Sequence, residues 1–80
     1  MWIIEAVSKR GEIVYKVDRQ KFPYMSWSNN IAHALQFYKE DAAIKFCSYY
    51  KFGNPKVKEL NGRDNIVIAI NEMFAKDFKR

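Results

Sequence analysis

Cysteine and histidine each occur only once in the sequence, as Cys47 and His33. One thiol cannot form an intramolecular disulfide, and one histidine with a distant cysteine cannot supply a zinc cluster. HExxH, CxxC and aspartate-rich calcium motifs are missing as well. We therefore expect no metal and no cofactor.

Glycine is also scarce, and Gly11, Gly53 and Gly62 stand singly, so no phosphate-cradling loop is available. No serine lies in a GxSxG setting, and the neighbouring carboxylates Glu40 and Asp41 point apart on a helix. Because no convergent acid, base and nucleophile can be named, we expect a protein that is not an enzyme and has no catalytic residues.

No apolar run is long enough to span a bilayer, and the N-terminal segment is interrupted by Glu5, Lys9 and Arg10. Together with the single thiol, this predicts a cytoplasmic protein. Fourteen Lys and Arg against nine Asp and Glu give a net charge of +5, which favours polyanions, although the charges are scattered. Eighty residues of which 49% are apolar predict one compact domain, 1–80, with a modest core.

The N-terminal third predicts a β-hairpin. WIIEAV (2–7) and IVYKV (13–17) are rich in β-branched and aromatic residues, and Gly11 in the intervening SKRGE can take the positive φ of a tight turn. The first strand alternates poorly, as a strand covered on both faces would. Further on, IAHALQF (31–37) favours a third strand over a short helix, and KVKEL (56–60) predicts a fourth.

Two segments predict helices. The helix over 40–52 has acidic residues in its first turn and an apolar stripe that includes Phe46 and Cys47. The segment 64–78 is β-branched enough for a strand, but its apolar residues keep helical spacing and Asp64 can cap the start, so we predict a C-terminal helix. The fold class is therefore α+β: a small, mainly antiparallel sheet, made of the N-terminal hairpin plus one or two further strands, packed by a central helix and followed by a C-terminal helical segment.

The connection 20–30, QKFPYMSWSNN, carries an unusual number of aromatic residues for a loop. If these rings are exposed, they are typical anchors of a protein interface. The alternative is that the loop folds back and completes the core. The predicted partner-binding residues, which include the two basic residues beside the rings, are Trp27, Tyr24, Phe22, Arg19 and Lys21.

Nucleic acid is the alternative partner. The aromatic signatures of the RNA-recognition motif, the KH GxxG and the paired zinc ligands are all missing. What remains is sequence-tolerant binding of DNA or RNA by scattered basic side chains and loop aromatics. The candidates for phosphate contact are Lys56, Lys58 and Arg63.

The order of WIIEAV…GEIVYKV, SWSNN, ALQFYKEDAAIKF and KVKEL resembles that of small uncharacterised accessory proteins of tailed bacteriophages. The resemblance implies a non-enzymatic modulator or inhibitor in the host cytoplasm. Such a protein docks on a host or defence-system protein, in some cases a nucleoprotein complex, and acts by occlusion. No functional residue can be transferred from that group, because it has no shared site that this sequence matches.

Overall fold

The computed structural model describes the backbone of residues 1–51 and 53–78 and the side chains of residues 1–51 and 53–74. In this part of the chain, four strands form one antiparallel sheet of order β3-β2-β1-β4, with two α-helices, which confirms the predicted α+β class. No helix in it is both long enough and apolar enough to cross a bilayer. The elements are β1 (Trp2–Val7), β2 (Ile13–Lys16), β3 (Trp27–Ser28), α1 (Glu40–Cys47), β4 (Lys56–Glu59) and α2 (Gly62–Phe78).

The N-terminal hairpin is confirmed. Strands β1 and β2 pair in the register Glu5 to Tyr15, and Gly11 has φ of +82° in the turn between them. β1 lies between β2 and β4 and is covered on both faces, as its poor alternation predicts. Ile3 packs in a cluster with Ile68 of α2, whereas alternation turns Ile4 to the opposite face, where α1 packs on β1 and β4.

Helix α1 is shorter than predicted, ending at Cys47 instead of residue 52, which lies outside the described residues. Beyond Cys47 the backbone tightens, because Tyr49 N donates to the carbonyl of Phe46 and Tyr50 N to that of Cys47. The Ser48 hydroxyl also donates to the Lys45 carbonyl at 2.6 Å. Side-chain and i→i−3 bonds thus satisfy the carbonyls that another helical turn would have used.

The strand predicted over 31–37 is largely wrong. The segment begins as a 3₁₀ turn, Ile31–His33, capped by the Asn30 side chain, which accepts a hydrogen bond from Ala32 N at 3.0 Å. The following residues are extended and form only isolated bridges, Ala34 with Val17 and Phe37 with Trp2. They fill the space where β1 and β2 separate, so the apolar alternation reflects burial in a wedge between two strands.

The strand β4 and the C-terminal helix are both confirmed. The start of α2 is set by a reciprocal pair of hydrogen bonds: Asn61 N donates to the Asp64 carboxylate at 3.2 Å, and Asp64 N donates to the Asn61 side chain at 2.9 Å. Asn61, and not Asp64 as predicted, therefore caps the helix, which begins at Gly62 instead of residue 64. Asp64 closes a capping-box arrangement. This local signal outweighs the β-branched composition of the segment.

Candidate functional site

A cleft of about 470 Å³ opens between the end of β2 and α1. We call it the β2–α1 cleft. Its walls are aromatic and aliphatic, while its polar groups come from the end of β2 and the loop that follows. The lining residues used below are Lys16, Arg19, Gln20, Leu35, Phe46 and Tyr50.

Lys16 lies at the β2 side of this cleft and is only 7% exposed. Its Nζ donates one hydrogen bond, of 3.3 Å, to the Ser26 carbonyl and lies 5.8 Å from the centre of the Tyr50 ring. Within the described chain, no carboxylate lies within 4 Å of this ammonium. Burial, followed by the charge of Arg19, lowers the pKa of Lys16. The site therefore combines a buried cation with the lack of a counterion.

Lys16 was not among the residues predicted to bind a partner. Its position alternates with Tyr15 and Val17, so the sequence does place it on the opposite face of β2 from those two residues. The poor alternation of β1 could have revealed the burial of Lys16. A neighbouring strand that is covered on both faces implies that the face of β2 carrying Lys16 is covered as well. Burial against Tyr50, in the segment after α1, is what turns an ordinary strand lysine into a site residue.

Arg19 is held at the rim of the cleft by the turn that follows β2. The Asp18 carbonyl accepts hydrogen bonds from Lys21 N and Phe22 N, which closes the turn. The Arg19 guanidinium donates to the Pro23 carbonyl at 2.8 Å. Arg19 and Lys21 are both exposed, so the structure leaves these predicted binding residues accessible on an ordered loop.

The three predicted loop aromatics take different places. Tyr24 is 80% exposed. Phe22 is half-buried, with its ring 4.6 Å from that of His33, and Trp27 is half-buried, with its ring edge-on to Tyr50 at 5.3 Å. The core-completing alternative thus describes the packing of Phe22 and Trp27, while Tyr24 has the exposure expected of an anchor.

The basic residues proposed for phosphate contact do not form a free cluster. Lys56 Nζ lies 3.4 Å from the Glu5 carboxylate, and Lys58 Nζ lies 3.6 Å from that of Asp64. Arg63 is exposed in the first turn of α2. Two of the three charges are therefore offset by acids, although exposed pairs of this kind are weak.

A second surface is apolar and lies along α2. Five large apolar side chains on one side of this helix are between 39% and 67% exposed. At about 100° per residue they share a single face, which we call the α2 stripe. Its members are Ile66, Val67, Ile70, Met73 and Phe74.

Comparisons of the chain with protein-family models, with curated proteins and with solved structures find no match. Functional assignment therefore rests on the side chains themselves. Within the described residues no three His, Cys, Asp or Glu side chains cluster as metal ligands would. His33 is a packing residue: its Nδ1 and the Ser28 hydroxyl are hydrogen-bonded at 2.9 Å, and its ring lies against Phe22.

Cys47 is half-buried on the inner side of α1, where burial raises the pKa of its thiol. Because thiol reagents attack the thiolate, we expect slow labelling of the native protein at pH 8 and rapid labelling once it is unfolded in guanidinium. A chromogenic disulfide reagent would measure both rates, with free cysteine as the control. A native rate equal to that of free cysteine would contradict the placement of this residue.

Proposed function

We propose that the chain is a small non-enzymatic binding protein that docks an acidic protein surface in the β2–α1 cleft and acts by occluding that surface. The observation that carries the proposal is the buried Lys16 ammonium, which lies beside Arg19 with no carboxylate within 4 Å in the described chain. A cation in this state is stabilised by an anion from outside.

The chemistry of the cleft favours a carboxylate attached to an apolar segment. Lys16 and Arg19 can donate charge-assisted hydrogen bonds to the carboxylate, and these are about twice as strong as neutral ones. Leu35 and Phe46 offer an apolar wall to the side chain next to it. Tyr24, exposed one residue beyond the Pro23 carbonyl that holds Arg19, is a rigid aromatic anchor at the rim.

Binding without catalysis is proposed because the acid of the cleft has a local structural role. The carboxylate of Asp18 accepts a hydrogen bond from Gln20 N at 3.1 Å. The remaining titratable groups facing the cleft are Lys16, Arg19 and Tyr50, a set suited to holding an anion. Burial raises the pKa of the Tyr50 hydroxyl, which keeps it protonated as a hydrogen-bond donor.

The class of partner follows from the resemblance to phage accessory proteins. We propose a host or defence-system protein, alone or within a nucleoprotein complex, that is met in the host cytoplasm, a compartment that the single thiol suits. Docking on such a partner requires no motion within this chain, because the turn that holds Arg19 is already ordered by its own hydrogen bonds.

The test uses a fluorescein-labelled peptide alternating Glu with Leu and Phe, and a matched peptide with Gln in place of Glu. In an anisotropy titration, we expect the Glu peptide to bind at least tenfold more tightly than the Gln peptide. Lys16→Met and Arg19→Gln should each weaken it at least tenfold. Lys16→Met keeps the aliphatic stem, and the Ser26 carbonyl still accepts from Val17 N at 3.0 Å, so the fold should persist.

Lys56→Met is the matched control, since Lys56 is already paired with Glu5, and it should bind like the unchanged protein. Equal binding of the Glu and Gln peptides, or unchanged affinity in both cleft variants, would refute the proposal. A labelled ten-nucleotide oligothymidylate provides the nucleic-acid arm. If it binds more tightly than the Glu peptide, with log K falling by about 0.7 per unit of log salt for each phosphate contact, the alternative function is correct.

A further inference from the structure

Helix α2 differs from an ordinary amphipathic helix in the polarity of its two faces: its inward face is largely polar and its outward face is apolar. The helix packs mainly against the 3₁₀ turn Ile31–His33. The residues on its inward face are Asp64, paired with Lys58, then Ile68, 7% exposed, and Asn71, whose side-chain oxygen accepts from Asn30 at 3.2 Å. These positions follow at i, i+4 and i+7, so one mixed, largely polar face attaches the helix. The α2 stripe lies on the other side, where an ordinary helix would be polar.

The composition of the α2 stripe is that of a helix interface. Its central members, Ile66, Ile70 and Met73, follow a 4–3 spacing, which is the seam spacing of two packed helices. Val67 and Phe74 widen this seam on one side, and none of the five carries a charge. Single exposed apolar residues are common on monomers, but a contiguous stripe of this kind marks an interaction surface.

We propose that the α2 stripe is covered by the α2 stripe of a second copy of this chain, with the two helices antiparallel about a two-fold axis. The complement of an uncharged, 4–3 spaced helical stripe is another such stripe, and the chain supplies one of equal length and spacing. A two-fold interface pairs the same patch on both copies and therefore closes without forming fibres.

The available area fits such a dimer. The helix of 17 residues is roughly 25 Å long. Five half-exposed side chains of this size offer roughly 500 Å² per copy, or about 1,000 Å² in the pair, which reaches the lower limit for a specific interface. A small core adds a reason: the described residues include only nine buried apolar side chains, and small chains commonly gain stability by oligomerisation.

Dimerisation and the proposed carboxylate binding should depend on salt in opposite directions. Each copy carries a net charge of +5, so the two copies repel each other and the dimer should strengthen as salt screens that repulsion. Binding of a carboxylate in the β2–α1 cleft should weaken with salt. Lys16→Met should therefore impair peptide binding and leave self-association unchanged, so that either proposal can fail without the other.

The experiment is sedimentation velocity of the full chain from 5 to 500 µM in low and moderate salt. We expect the mass to rise with concentration from 9.5 kDa towards twice that value, and the midpoint to move to lower concentration in moderate salt. Ile70→Lys, at the centre of the stripe, should raise the dissociation constant at least tenfold. Asn65→Lys adds the same charge on an exposed, off-stripe side of α2 and should dimerise like the unchanged protein.

Circular dichroism checks that Ile70→Lys remains folded, and Met73→Lys, at a more exposed position, replaces it if it does not. A constant mass of 9.5 kDa at 500 µM would overturn the dimer. So would undiminished association of the folded stripe variant, or an equal loss in Asn65→Lys, which would mean that added charge rather than the stripe controls association.

Discussion

Gly53→Ala is expected to destabilise the fold by about 3–4 kcal/mol, a large part of the stability of an 80-residue chain. Gly53 has φ of +74°, which costs an L-residue roughly 1–2 kcal/mol. A Cβ at this position would lie 2.6 Å from the Val7 carbonyl oxygen, so the backbone must move. That movement weakens the 2.8 Å hydrogen bond from Val7 N to the Gly53 carbonyl.

Gly11 and Gly62 provide controls for the same chemical change. Gly11 has a positive φ but no atom within 4 Å of an added Cβ, so Gly11→Ala should cost only the conformational part, about 1 kcal/mol. Gly62, in the first turn of α2, has neither constraint, and Gly62→Ala should stabilise the protein by about 0.5 kcal/mol. Thermal and urea unfolding measure the series. Equal effects at Gly53 and Gly11 would disprove the close approach to Val7.

Trp27→Ala is expected to cost about 3 kcal/mol of folding stability, the lower end for a large aromatic residue because this one is only half-buried. Its ring packs edge-on against Tyr50, and its strand position pairs with Lys16. Loss of the ring therefore loosens the contact between the sheet and the segment after α1, and with it Tyr50 in the wall of the β2–α1 cleft. Urea unfolding gives the free energy, and anisotropy with the Glu peptide gives the affinity per folded molecule.

Tyr24→Ala is the matched aromatic truncation three residues earlier, in the loop that leads into β3. Since Tyr24 is 80% exposed, its loss should change stability by less than about 0.5 kcal/mol while weakening peptide binding by roughly 2 kcal/mol. Trp27→Ala should therefore lower the folding stability, whereas Tyr24→Ala should lower the affinity for the peptide. Unchanged stability in Trp27→Ala would contradict its packing role, and unchanged binding in Tyr24→Ala would remove it from the interface.

The sequence by itself determined the elements whose signals are local. The hairpin follows from two β-branched runs around Gly11, β4 from its own alternation, and the presence of α2 from its helical spacing, although the start of that helix was predicted two residues too late. In each case the signal lies in residues that are close together in the chain. Propensity and capping therefore contain enough information to predict them.

Local sequence signals did not predict the segments whose conformation depends on tertiary contacts. The segment 31–37 alternates like a strand because it is buried as a wedge, and only the separation of β1 from β2 shows where it lies. In the segment 20–30, the rings of Trp27 and Phe22 pack against rings distant in sequence or across a turn, whereas Tyr24 packs against no ring of the described residues and is 80% exposed. An exposed interface anchor and a buried core residue can be the same type of aromatic residue. The composition of the segment therefore could not distinguish between them.

The two surfaces on which the proposals rest were decided by tertiary structure alone. Helical spacing correctly placed Ile66, Ile70 and Met73 on one face of the helix. A periodic pattern does not determine which face of a helix is buried and which is exposed. Lys16 likewise became a buried cation only because Tyr50, in the segment after α1, lies over its side of β2. Burial depends on the relative placement of elements, and this arises from packing between residues far apart in the chain.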